Sequence, residues 1–395
     1  MDFDLSWLLL GVPLAFVLGW LASRFDLRQL KFENRQAPKA YFRGLNFLLN
    51  EQQDQAIDAF IEAVQNDPDT QELHFALGNL FRRRGEYQRA VRVHEHLLGR
   101  GDLSRDDRDR AQHALAQDFL RAGLLDRAEA ALQKLEGTRY ESEARLSLLA
   151  IYERSREWAQ AADVAQKLDA SDQASYSTRR AHHLCEQAAE RTTAGDIEAA
   201  ALLLRQAVVL APQAPRPAID TAALQLRDGQ AAAAFDTLAA LCESAPLALP
   251  IFAATLQQAA VASQRTGEAM ALLQRRYAVS PSIDVLEAII VLGGLPQAVA
   301  SADASAAGMT PEPRDGYIAH LAHQPSLVAA SRWLAGERFT REQFHPQVQR
   351  ALDQAIRPLM RYRCAACGFE AHQYFWHCPG CQAWDSYPPR RVEEL

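Results

Sequence analysis

At 395 residues the chain is too long for one compact domain, a ceiling that does not limit a solenoid of repeats. Hydrophobic residues make up 48% of it, and 19 Gly with 18 Pro are too few for a disordered chain. A formal net charge of −7 argues against a general nucleic-acid binder, and four of the six cysteines fall in two C-x-x-C pairs, which suits a reducing cytoplasm and one metal site better than a disulfide framework.

The first feature in the chain is Leu5–Ala22, which carries no charged residue. As a helix it would span roughly 27 Å, enough to cross the hydrocarbon of a bilayer. Trp7 and Trp20 stand near its ends, where interfacial indoles are favoured. A cleaved signal peptide is the alternative, but Asp2 and Asp4 precede the segment where a signal would carry Lys or Arg. Arg24, Arg28, Lys31, Arg35 and Lys39 follow it. The positive-inside rule then gives a retained single-pass anchor over 1–22, with its N-terminus periplasmic and the remainder cytoplasmic. Residues 23–36 are a basic juxtamembrane connection.

Helical repeats are expected over 37–281. Gln71–Ser104 shows the unit: Leu77-Gly78, Phe81, Gly85, Tyr87, Ala90 and Leu97 fit a 34-residue helix–turn–helix repeat of the tetratricopeptide type. Small residues (Gly78, Ala90) belong where the helices cross closely, and Gly85 belongs at the end of the first helix. About seven units follow this template, among them Ala37–Thr70, Asp109–Ser142, Ala181–Ala214 and Pro215–Ala248. In such repeats certain first-helix positions line the concave face. In two neighbouring units these are Glu72, Phe75, Asn79, Arg82 and Arg83, then Arg110, His113, Gln117, Leu120 and Arg121. Of these, Arg82, Arg83, Arg110, His113, Gln117 and Arg121 are the candidate partner-binding residues, suited to an acidic or extended peptide. Ordinary solvated helix faces are an equal alternative for any single residue.

Residues 282–358 read as degenerate repeats. Helices are expected at Ser282–Leu292, Tyr317–Leu334 and Phe344–Arg357, with a small-residue loop at Ser301–Gly308. Val348, Leu352, Ala355 and Ile356 should share a face of the last helix, which Pro358 ends.

The stretch 359–395 is a metal module. Cys364, Cys367, Cys378 and Cys381 give C-x2-C-x10-C-x2-C, in which two loops turn four thiolates onto one ion. Four sulfurs close the coordination sphere, so the site is structural, and they suit Zn(II) or Fe equally. Gly368 and Pro379-Gly380 are expected to supply the tight turns. His372 and His377 read as surplus, at the surface or behind the ligands. Phe369, Tyr374, Phe375, Trp376 and Trp384 should form a small core packed on the last helix. No nucleotide-binding, hydrolase or zinc-protease motif occurs. His182-His183 near Cys185 reads as a helix face rather than a catalytic pair, so no catalytic residue is expected.

An anchor, a tetratricopeptide array and a terminal YRC-x2-CGF…WHCP-x2-C-x-AW module together resemble the lipopolysaccharide assembly protein B family of Gram-negative bacteria, from the anchor to the tail. The resemblance implies an all-α fold: a transmembrane helix, a right-handed superhelix of repeats and a small rubredoxin-like or zinc-ribbon module. The gap between the cysteine pairs is much shorter than in electron-transfer rubredoxins, which argues against redox turnover. The resemblance also implies a non-enzymatic regulator of lipopolysaccharide synthesis at the inner membrane. Its partners would be the AAA+ membrane protease FtsH, the lipid A pathway deacetylase LpxC, whose degradation it promotes, and an inner-membrane lipopolysaccharide sensor. A scaffold for lipopolysaccharide-synthesis enzymes and an iron–tetrathiolate redox protein are the alternatives. The sequence admits a homodimer without fixing the oligomeric state.

Overall fold

Apolar residues at helical spacing, punctuated by glycine, build a succession of paired helices. The computed structural model describes residues 16–17, 20, 42–50, 52–66, 70–171, 175–293, 314–337 and 342–395. It divides into two units, 1–151 and 152–395. The expected anchor lies outside the described residues except for Phe16, Val17 and Trp20, which are helical and exposed. Among the described residues no single helix is long and apolar enough to cross a membrane.

The first unit holds α1 (42–49), α2 (Gln53–Asn66), α3 (Gln71–Arg84), α4 (Tyr87–Gly99), α5 (Arg105–Ala122) and α6 (Leu125–Gln133). Ala56, Phe60, Leu73, Leu77, Phe81 and Ala90 form an apolar cluster within it. The small residue at the α3–α4 crossing is obligatory. A Cβ on Gly78 would lie 2.5 Å from Nε2 of His94, and that ring cannot retreat because its Nδ1 is hydrogen-bonded to the buried carboxylate of Asp118.

Helix α7 (Glu141–Ser155) begins in the first unit and ends in the second. The second unit continues with α8 (Trp158–Ser171), α9 (Ser177–Thr193), α10 (Ile197–Leu210), α11 (Pro215–Arg227), α12 (Ala231–Ser244), α13 (Leu249–Ala262), α14 (Thr266–Val279) and α15 (Ile283–Val291). After the undescribed stretch come α16 (Asp315–His323), α17 (Leu327–Leu334) and α18 (His345–Ile356), then a hairpin, β1 (Tyr362–Arg363) and β2 (Glu370–Ala371), paired antiparallel. Phe235, Leu238, Phe252, Leu256, Leu273 and Ile289 centre its core, each worth about 1.5–3 kcal/mol on burial.

Among the described residues, one turn recurs at the end of the first helix of six pairs. Its residue is left-handed and donates its N–H back three residues, while the next N–H reaches back five. This satisfies two carbonyls that the helix leaves free. Glycine fills the position at Gly85, Gly123, Gly195 and Gly229; Arg156 and Gln264, both at φ 60°, are the exceptions. A side chain there costs about 1 kcal/mol.

Two expectations for the degenerate region need correction. Tyr317–Leu334 is two helices, because Pro325 forces Gln324 into extended backbone and Ser326 starts α17 by accepting from the N–H of Ala329. The face expected of Val348, Leu352, Ala355 and Ile356 is mostly uncovered: only Ile356 is buried and Val348 is 51% exposed. The loop expected at Ser301–Gly308 lies outside the described residues.

Candidate metal centre and its seat on the repeats

Two similar knuckles carry the four cysteines. In the first, Gly368 donates to the carbonyl of Cys364, and Cys364 donates to that of Phe369. In the second, Gln382 donates to the carbonyl of Cys378, and Cys378 donates to that of Ala383. The equivalent left-handed residues are Gly368 at φ 77° and Gln382 at φ 60°. The tight turn expected at Pro379-Gly380 is therefore completed at Gln382. Gly380 serves another purpose: a Cβ there would press on the Phe369 side chain at 3.2 Å.

The four Sγ atoms all lie within 4.8 Å of one another, with Cys364–Cys381 at 3.8 Å and Cys367–Cys378 at 3.7 Å. Sulfurs placed tetrahedrally at about 2.3 Å from zinc have edges of about 3.8 Å, so the donor set fits one metal ion. Cys364 and Cys378 are buried, and Cys367 and Cys381 face out. Burial pushes the Cys364 thiol up, but Ser386 Oγ at 3.2 Å and the N–H groups of Cys367 and Ala366 outweigh it and bring it to about 6. That favours the thiolate a metal requires. Tyr362 and Tyr387 pack behind the two buried cysteines, and Tyr374 donates its hydroxyl to the Tyr387 carbonyl.

The aromatics expected to pack on the last helix meet α7, α8 and α9 instead, through Trp376 and Trp384, and Phe369 is exposed. The ring of Trp384 stacks between His377 (centroids 4.3 Å apart) and His182 (4.8 Å), with Trp158 edge-on at 6.1 Å. Its Nε1–H donates to Oε1 of Glu153 at 3.0 Å. Asp385 accepts from Nε2 of His182 at 2.9 Å. Glu153, 4% exposed, also accepts from Arg179 Nε and Nη2, both at 2.6 Å, and from His183 Nε2 at 2.7 Å. Burial pushes this carboxyl up, but Arg179 and His183 outweigh it and hold it at about 2. Burial lowers His183 against the pull of Glu153, leaving a neutral imidazole that donates through Nε2. His377, expected to be surplus, is part of this stack, whereas His372 is exposed. His182 and His183, expected on an ordinary helix face, are buried and receive the module. The signal for this was present in the two unassigned histidines and in the tryptophans beside the second cysteine pair.

Residues 390–394 add a second attachment. Arg391 pairs with Asp284, its Nη2 2.6 Å from Oδ1, and donates from Nη1 to the carbonyl of Met360. Glu394 accepts from the N–H of Ile283 at the start of α15. Glu393 accepts from the N–H groups of Leu327 and Val328 at the start of α17.

The expected groove residues in the first unit divide into two groups. Arg82 is committed internally, donating to Asp118, to the Ala114 carbonyl and to Asn79. Arg110 is paired with Glu72 and lies over the Phe75 ring at 4.0 Å. His113 stacks on Tyr140 and is hydrogen-bonded with Gln117. Arg83 and Arg121 are exposed.

The rubredoxin metal binding domain family matches residues 362–388. The chain is similar to the lipopolysaccharide assembly protein B of Escherichia coli K12, with 30% identity over 389 residues and 98% of each chain covered. The protein of that name from Haemophilus influenzae is 26% identical over 410 residues, again covering 98% of each. Among solved structures, the chain is similar to a tetratricopeptide repeat protein from Parabacteroides merdae at 14% identity, covering 66% of this chain and all of that one, with a TM-score of 0.33.

Proposed function

The chain belongs to the lipopolysaccharide assembly protein B family, and from that membership we propose that it acts in lipopolysaccharide assembly as a non-enzymatic adaptor at the inner membrane. In this reading residues 1–22 hold it in the bilayer and the rest works on the cytoplasmic side. Its client is the deacetylase LpxC, brought to the membrane protease FtsH, and an inner-membrane lipopolysaccharide sensor governs the exchange. Tethering supports such a role without chemistry, because it raises the effective concentration of client beside a membrane-bound protease.

The observation that carries the reading is the four-thiol set. Sulfur from Cys364, Cys367, Cys378 and Cys381 would fill every position around a tetrahedral ion and leave none for an activated water. An ion bound there cross-links the two knuckles, and the seated module shapes the surface of the repeats.

The test is client turnover in cells. Depleting the protein should lengthen the half-life of the deacetylase, and a chain lacking residues 1–22 should fail to restore it. An unchanged half-life after depletion would favour a scaffold and discard the adaptor.

A further inference from the structure

We propose that the cleft between the metal module and helices α7, α8, α9 and α11 binds an acidic peptide segment of a partner protein through Arg154 and Arg156. This deepens the adaptor reading, on which it rests only for the identity of the protein that carries the peptide. The cleft has a volume of about 450 Å³. Trp158, Trp376 and Pro379 supply apolar wall, and Arg154 and Arg156 supply charge.

The two carboxylates that also line the cleft are already engaged: Glu153 by Arg179, His183 and Trp384, and Glu186 by Arg216. Arg154 and Arg156 are exposed and, among the described residues, meet no carboxylate. Arg216 is only 6% exposed; its Nη2 donates to Glu186 and its Nε to Asp220, while Nη1 has no partner. Arg216 therefore holds the wall in place, and Arg154 and Arg156 are the arginines open to a ligand.

Arg156 gives an independent sign. It occupies the left-handed turn position that four sibling pairs fill with glycine. Of the two side chains kept there, Arg156 is the one that lines this cleft. Strain of this kind collects at functional sites. Planar guanidiniums suit carboxylates, and the half-buried Trp376 with the exposed Pro379 suits the apolar residues of an extended chain, so the fitting ligand alternates acidic and apolar side chains.

The experiment uses the full-length protein in detergent and a fluorescein-labelled Glu-Leu-Glu-Phe-Glu-Leu-Glu-Phe peptide, followed by anisotropy. Saturable binding is expected. Arg156→Gly and Arg154→Ala should each weaken it by about tenfold. Arg156→Gly should meanwhile keep or raise the melting temperature, because glycine relaxes the turn. Arg83→Ala with Arg121→Ala should leave binding unchanged. Full affinity in the Arg154→Ala, Arg156→Gly double variant would overturn the site, as would loss confined to the Arg83 and Arg121 variants. So would binding to phosphatidylglycerol vesicles with none to the peptide. Cleft-dependent peptide binding together with an unaltered deacetylase half-life would reject the adaptor and keep the site; the converse would reject the site alone.

Discussion

The indole N–H of Trp384 reaches the carboxylate of Glu153 across 231 positions of sequence. Glu153 is buried, and an isolated carboxylate there would be costly. Arg179 supplies the compensating charge, and His183 and Trp384 supply neutral donors, so the metal module completes a site that the repeats leave partly open. Seating the module is thus a matter of matched polar groups as well as stacked rings.

Trp384→Phe should keep the stack on His182 and His377 but remove one donor from Glu153, costing about 1 kcal/mol. Trp384→Ala removes the stack as well and should cost about 2–4 kcal/mol. Thermal unfolding, with limited proteolysis of the link near Pro358, reads both. Metal content should be unchanged, since Trp384 is not a ligand. A Trp384→Ala chain as protease-resistant as the parent would show that the seat rests elsewhere.

Acid should weaken the fold in two stages. Burial lowers His74, His113, His183 and His320 below their ordinary 6.5, so the unfolded chain binds protons first. Stability present above pH 6.5 is therefore lost as pH falls through that value. Glu153 is held at about 2 against an ordinary 4.5, so its contribution is full above 4.5 and is lost between 4.5 and 2. Melting temperatures from pH 8 down to 3 should fall in both windows, and Glu153→Gln should flatten the lower one. A profile flat from pH 8 to 5.5 would contradict the first stage.

Cys364→Ser or Cys378→Ser should lose the ion and unfold the module, because in a domain this small metal binding supplies the folding energy. The repeats should stay helical, each being held mainly by its neighbours. Metal analysis with circular dichroism tests both halves, and the emission of Trp384 should shift red as it leaves its seat. Full metal stoichiometry in either variant would refute the four-cysteine site.

The sequence made the repeats legible because their packing is local. Gly78, Gly85 and Ala90 answer to neighbours within about one repeat, and a fixed period exposes them. The cysteine spacing was legible for the same reason, since a knuckle closes within a few residues. The seat was not. Glu153, His182 and Trp384 come from three distant stretches, and none has a spacing rule to join them. Arg82 is a different case: helical position placed it on the concave side, but a buried carboxylate on the next repeat, Asp118, pairs with it.

The last prediction concerns the attachment by residues 390–394. The N-termini of α15 and α17 present free N–H groups, and neither Ser282 nor Ser326 satisfies them all. Glu394 accepts from Ile283, and Glu393 from Leu327 and Val328. A carboxylate at a helix N-terminus also meets the positive end of the helix dipole. Glu393→Ala and Glu394→Ala should each cost about 1–2 kcal/mol, in the range of a lost helix cap. The loss should be local. Hydrogen exchange should quicken at Leu327 and Val328 in the first variant and at Ile283 in the second, with the amides of α9 unaffected. Arg391→Ala, which breaks the pair with Asp284 and the bond to the Met360 carbonyl, should quicken both sites together by loosening the segment that carries the two glutamates. Equal exchange at all three amides in every variant would mean that water caps these helices as well as the tail does.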